Sequence, residues 1–189
     1  MGKTLIQQAR GRGGMQYRAK RKAYSYRPRY LPNLEGGWKV VEFVSEAGHS
    51  APLAKFQKVD GTETFYNIAV DGLYVGKIIT INGPEKGDIV KVGDLKTNTE
   101  IFSIEVRPKD GGKLVRTGGS CATVLSRQGD LVTIMMPSKK EKQLSAECRA
   151  TLGKVAGHGR LEKPFIKAGR KFYLMRARNK LWPRTSAIK

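Results

Sequence analysis

Between residues 36 and 149 the chain runs in short stretches of β-branched and aromatic residues divided by turn signals, with little sign of a helical period. These stretches predict strands near Trp38–Ser45, Ala51–Val59, Thr64–Val70, Tyr74–Ile81, Glu100–Arg107, Ala122–Arg127 and Leu131–Met136. Turns fall at Asp60-Gly61, Asp71-Gly72, Asp110-Gly111-Gly112 and Gln128-Gly129-Asp130, where glycine supplies the positive φ that tight reversals need. The loop-rich stretch 83–99 parts an early group of strands from a late one, which favours two small β-barrels in tandem over one sandwich. A very short helical turn fits near Ala146–Arg149. The predicted class is all-β.

The two ends break the pattern. Residues 1–35 and 150–189 lack a sustained amphipathic period, and neither would bury a core alone. In the first, a basic glycine-rich run at 8–14 holds Arg10 and Arg12; Arg18, Lys20, Arg21, Lys22 and Arg27 then alternate with Tyr17, Tyr24, Tyr26 and Tyr30. The last interleaves Lys154, Arg160, Lys163, Lys167, Arg170, Lys171, Arg176, Arg178, Lys180 and Arg184 with Phe165, Phe172, Tyr173 and Trp182. Gly153, Gly157, Gly159 and Gly169 argue against one long helix there.

Charge sharpens the division. Thirty-six Lys and Arg face 16 Asp and Glu, a net charge of +20. Nine basic residues oppose one acid in 1–35 and eleven oppose one in 150–189, whereas sixteen oppose fourteen between them. A near-neutral body with cationic arms is the layout of a fold whose arms order against a polyanion, and nucleic acid is the commonest. Cations neutralise phosphates, tyrosine rings stack on unpaired bases, and glycines let the backbone approach closely. The competing reading, a solubilising tail, leaves four tyrosines in fourteen residues unexplained.

Catalytic and metal chemistry find little support. His49 and His158 are the only histidines, and neither has Cys or His neighbours at ligand spacing. Gly72–Lys77 departs from a phosphate loop in its spacing and in having Ile78 after the lysine. Glu42, Glu46, Glu100 and Glu105 fall in or beside strands, where facing solvent or pairing with lysine is expected. Cys121 and Cys148 fit small buried thiols in a reducing cytosol better than a disulfide. No apolar run reaches membrane-span length and no signal-peptide core follows Met1, so a cytosolic protein without cofactor, metal or membrane partner is expected.

Seven stretches carry a more specific likeness: RGRG at 10–13, SAPLA at 50–54, KDGGKLVR at 109–116, ECRATLG at 147–153, GHGR at 157–160, KPFIKAG at 163–169 and WPR at 182–184. In this order and spacing the chain resembles the large-subunit ribosomal protein two family, with the last two stretches similar to its archaeal and eukaryotic members. The resemblance implies an oligonucleotide-binding fold at 36–83, an SH3-like barrel at 84–153, and basic arms at 1–35 and 154–189. It further implies binding to large-subunit rRNA close to the peptidyl transferase centre, contacts with neighbouring ribosomal proteins and with the small subunit, a role in assembly, and a place in the cytoplasmic ribosome.

Roles can then be set against alternatives. Lys113 and Arg116 follow the 110–112 turn and would grip phosphate, or else form a solvated hairpin tip. Arg149 would bond either RNA or local backbone carbonyls. His49 stands where relatives usually carry an RNA-contacting arginine; it can offer RNA one hydrogen bond or a stacking face, or be an ordinary loop histidine. His158 replaces a family glycine and needs room beside the RNA. Relatives continue past WPR into a glycine-rich extension with a histidine, whose role is not carried over to a chain ending at Lys189. Two rivals stand: a translation factor or RNA chaperone of similar barrels, and an RNA-modifying enzyme, which would need a cofactor pocket.

Overall fold

The computed structural model describes residues 10–184. Ten strands form two antiparallel sheets. The first holds β1 (Gly37–Val44), β2 (Leu53–Lys58), β3 (Thr64–Ile68) and β4 (Ile78–Thr80), ordered β3-β2-β1-β4. The second holds β5 (Ile89–Lys91), β6 (Glu100–Phe102), β7 (Ala122–Gln128), β8 (Leu131–Met135), β9 (Glu141–Ser145) and β10 (Arg149–Leu152), ordered β5-β10-β6-β7-β8-β9. Among the described residues one α-helix, α1, spans Ala168–Ala177. The all-β expectation holds. As paired among the described residues, each ladder has two free edges rather than a closed ring. Isolated bridges, Ile81 to Ile89 and Val70 to Val155, stitch the two sheets together.

Alternation explains which faces pack. In β1, Trp38 and Val40 point inward around exposed Lys39, until a bulge between Val40 and Glu42 breaks the register and leaves Val41, Glu42 and Phe43 outside. Two predicted strands come out at less than half the expected length. Gly76, at φ 94°, turns the chain ahead of β4, and Ser103, at φ 49°, ends β6. Three strands were not expected. β5 is only three residues long, and β9 is a mostly polar edge whose one buried residue is Leu144. Most of β10 lies where the sequence pattern suggested loop or a helical turn. Ala150, Thr151 and Leu152 are all buried, because this strand runs between β5 and β6 with both faces covered, which erases the alternation.

The two sheets do not keep separate cores. Ala51, Leu53, Ile68 and Val70 from the first region join Ile101, Phe102, Val124, Ile134 and Cys148 in the larger cluster. Ile89, from β5, joins Trp38, Val40, Phe56 and Phe65 in the smaller one. Tyr30 and Leu34, from the stretch read as an arm, belong to that second cluster too. Burial therefore crosses both the boundary at 35 and the one at 83.

Candidate nucleic-acid interface

Residues 26–34 form a strap across both sheets, and their carbonyls and amides account for several of the cations and acids singled out from the sequence. Tyr26 N donates to Glu46 Oε1 (3.1 Å), Arg29 N to Tyr66 O (2.9 Å) and Tyr30 N to Gly111 O (2.9 Å). The Tyr30 ring is fully buried, its hydroxyl lies 2.6 Å from Thr151 Oγ1, and burial pushes its pKa up to about 12. Arg116 Nη2 donates to Pro28 O (2.8 Å), and Arg149 Nη1 donates to Leu31 O (2.9 Å) and Pro32 O (3.3 Å). Pro28 and Pro32 hold their own φ near −65° and lack an N–H, so the strap carries fewer donors that need partners.

Glu105 anchors this arrangement. It is fully buried, accepts from Arg149 Nη2 (2.7 Å) and Arg149 N (2.8 Å), and also accepts from Gly111 N (3.0 Å) and Lys109 N (3.2 Å). The Arg149 guanidinium lies 5.4 Å from the Tyr30 ring centroid. A buried carboxylate tolerates its charge only when so satisfied. The expectation of a solvent-facing or lysine-paired glutamate is corrected at Glu105 by this burial. Glu46 differs in the same way, being buried against His49 and the strap, while Glu42 and Glu100 do pair with Lys55 (3.3 Å) and Lys154 (3.0 Å).

Three segments meet around a cleft of about 430 Å³: residues 16–24, the loop 47–50, and the end of α1 at 178–180, with Arg160 also lining it. The loop can pass under the arm only because residue 48 is glycine. A Cβ there would collide with the Ala23 carbonyl and the Tyr24 ring. His49 Nδ1 donates to Glu46 Oε2 (2.5 Å), and its ring stands edge-on to Tyr24 at 5.6 Å. α1 ends by a left-handed Asn179 (φ 53°): Asn179 N donates to Arg176 O (3.0 Å) and Lys180 N to Met175 O (2.8 Å). That closure satisfies the last helical carbonyls and turns Arg178, Asn179 and Lys180 to the cleft. A smaller cleft of about 180 Å³ adjoins it, sharing Gln16, Asn179 and Lys180 and lined by Phe172 and Trp182.

The structure sorts the candidate residues into two sets. Arg12, Arg18, Lys20, Arg21, Lys22, Arg27, Arg160, Lys163, Lys167, Arg170, Arg176, Arg178, Lys180 and Arg184 are exposed, and among the described residues none of them lies in an ion pair. The cleft gathers Arg18, Lys20, Arg160, Arg178 and Lys180. Lys171 is half-buried, 5.5 Å from the Trp182 ring centroid. Lys113 is exposed but leans on Asp110 (3.3 Å), Lys154 is held by Glu100, and His158 is exposed with Nδ1 3.5 Å from Asp71. The side chain of Arg10 lies outside the described part of the structure.

Arg116, Arg149 and His49 form the other set. Each was a candidate RNA contact, and each is half-buried with its polar atoms directed at the strap, at Glu105 or at Glu46. The physical reason is common to all three: a buried carbonyl or carboxylate within reach needs a donor, and these side chains supply it. Burial also pulls the Arg116 pKa down from the usual arginine range. Cys148 is buried and its thiol pKa is pushed up to about 11, mainly by burial, while Cys121 is half-buried and its thiol is likewise raised by burial. Sequence reasoning missed Gln16 and Asn179. Asn179 had a signal, an asparagine just after a run of helix formers; Gln16 had none.

Known proteins supply the remaining observation. A family profile described as Ribosomal Proteins L2, C-terminal domain, matches residues 85–189. The chain is 43% identical over 195 residues to the large ribosomal subunit protein uL2 of Hyperthermus butylicus, covering 100% of this chain and 81% of that protein. The proteins of the same name from Pyrobaculum calidifontis and Korarchaeum cryptofilum are each 41% identical, over 96% and 97% of this chain and 75% and 77% of theirs. With a profile over more than half the chain, and such identity across nearly all of it, the chain belongs to the uL2 family of large ribosomal subunit proteins.

Proposed function

We propose that this structural protein of the large ribosomal subunit binds large-subunit rRNA close to the peptidyl transferase centre, together with neighbouring ribosomal proteins and with a contact to the small subunit, in the cytoplasmic ribosome. One observation carries the reading. Cations from two chain ends are brought around one cleft and left exposed, whereas most acids of the body are spent on lysines, histidines, Arg149 or backbone donors. Such a surface is relieved of its self-repulsion by a polyanion. In this reading the units at 36–83 and 84–153 act as one scaffold that holds the arms in place. The family is a structural one, and no catalytic step is assigned.

The reading also fits the weakness of α1. It has ten residues, no side-chain N-cap, no acid in its first turn and no buried residue, so little within the protein holds it. Phosphates would.

Photo-crosslinking of the full chain in intact large subunits, with crosslinked nucleotides mapped, tests the proposal. Crosslinks from the arms to large-subunit rRNA near the catalytic centre are expected. Crosslinks only to remote rRNA regions would overturn the placement, and release of the protein from subunits at moderate salt would overturn the structural role.

A further inference from the structure

We propose that the larger cleft takes one unpaired ribonucleotide extruded from an RNA strand, its base on the Tyr24 ring and its phosphate among the surrounding cations. This rests on the RNA-binding reading and narrows it from backbone contact to capture of a single base.

Size is the first argument. A pocket of about 430 Å³ lies near the lower end of the range that holds small organic ligands, and it is too small to admit a duplex. The second argument is the ring. Tyr24 is 64% exposed and lines the cleft, yet it is braced by the edge of His49 and by the backbone at Gly48. A held ring with free surface is a stacking platform, and Tyr17, 40% exposed, adds a second aromatic to the lining.

Two amides make the third argument. Gln16 and Asn179 both line the cleft, and each carries donors and an acceptor. Phosphate needs only donors; a base edge presents both kinds of group. Charge completes the case. Arg18, Arg178 and Lys180 stand ready for the phosphate. The nearest acid along the loop, Glu46, is buried with one oxygen on Tyr26 N and the other on His49, so it does not oppose an anion.

The test uses the full chain and two RNA hairpins of the same stem sequence. One carries 2-aminopurine as a single-nucleotide bulge and the other carries it paired. The bulged hairpin should bind about tenfold more tightly, because one stacked base accounts for such a factor, and its fluorescence should be quenched on binding. Tyr24→Ala should abolish the preference while leaving affinity for the paired stem unchanged, and Tyr24→Phe should keep it. Gln16→Ala, an exposed change, should reduce the preference several-fold and carries the test if Tyr24→Ala does not melt cooperatively. Equal binding of the two hairpins by the wild-type chain, or an equal loss on both in the variants, overturns the single-base pocket and leaves RNA binding standing. Binding to neither hairpin overturns both.

Discussion

The strap at 26–34 and the C-terminal stretch at 160–184 are built from the same ingredients, cations interleaved with aromatic rings, and the fold uses them in opposite ways. In the strap, Tyr30 sinks into the core, and the carbonyls of Pro28, Leu31 and Pro32 accept from Arg116 and Arg149. In the C-terminal stretch, Phe172 and Tyr173 stay exposed, no residue of α1 is buried, and the arginines point to solvent or to the cleft. Composition decides which partners a segment can have. Whether the segment is buried depends on what distant parts of the chain bring to it.

The largest expected difference between the two regions comes from paired arginine substitutions. Arg149→Ala leaves Glu105 charged and buried without its main partner and strips donors from two strap carbonyls. It should cost about 3–5 kcal/mol. Arg176→Ala, on exposed α1, should stay within about 0.5 kcal/mol of the parent. Denaturant titrations of both variants check this, and equal losses would erase the distinction.

Alkaline pH gives an intermediate effect, to which the strap contributes through Tyr30. Tyr30 ionises at about 12 in the fold against an ordinary 10.0, so the fold prefers its neutral form. The stability it contributes is complete below pH 10 and is lost as pH rises through 12, because the unfolded chain releases its proton first. Two units correspond to roughly 3 kcal/mol. Cys148, raised from 9.0 to about 11, should start the decline nearer pH 9. Melts between pH 8 and 12 should show this slope, with the Tyr30 part missing in Tyr30→Phe.

Arg116→Ala should give the smallest stability effect within the strap's own contacts, about 1–2 kcal/mol, from loss of one charged bond to Pro28 O at a half-buried site. A fall in melting temperature with RNA affinity of the folded protein unchanged is expected. An affinity loss at constant stability would instead make Arg116 a phosphate ligand.

Much of the scaffold was legible. The turn at 110–112 was readable from its glycines, and Gly112 bears this out: it sits at φ 80°, and a Cβ on it would approach Ser103 O to 2.5 Å. β10 was not legible, because a strand covered on both faces shows no alternation. The strap was not legible either. Tyr24 and Tyr30 look alike in the sequence, and only folding brings Thr151 and Arg149 to Tyr30. Arg149 does bond backbone carbonyls, but those of Leu31 and Pro32, more than a hundred residues away in the chain, together with Glu105, 44 residues away, partners that local spacing could not reveal. A cut at residue 36 would therefore remove part of the core along with the arm. The basic ends were legible as charge, but not the cleft they share, since Arg18 and Lys180 meet only through the loop at 47–50 and the turn at Asn179.

The claim that one basic region belongs to the fold and the other to the RNA is tested most directly by amide hydrogen exchange on the full chain, free and bound to large-subunit rRNA. The amides of Tyr26, Arg29 and Tyr30, each with an acceptor inside the fold, should be protected in both states. Those of residues 170–180 should exchange rapidly in the free protein and slow at least about tenfold on the RNA, as expected of a short helix with no buried face. Equal protection of α1 with and without RNA, or unprotected strap amides in the free protein, would contradict the account.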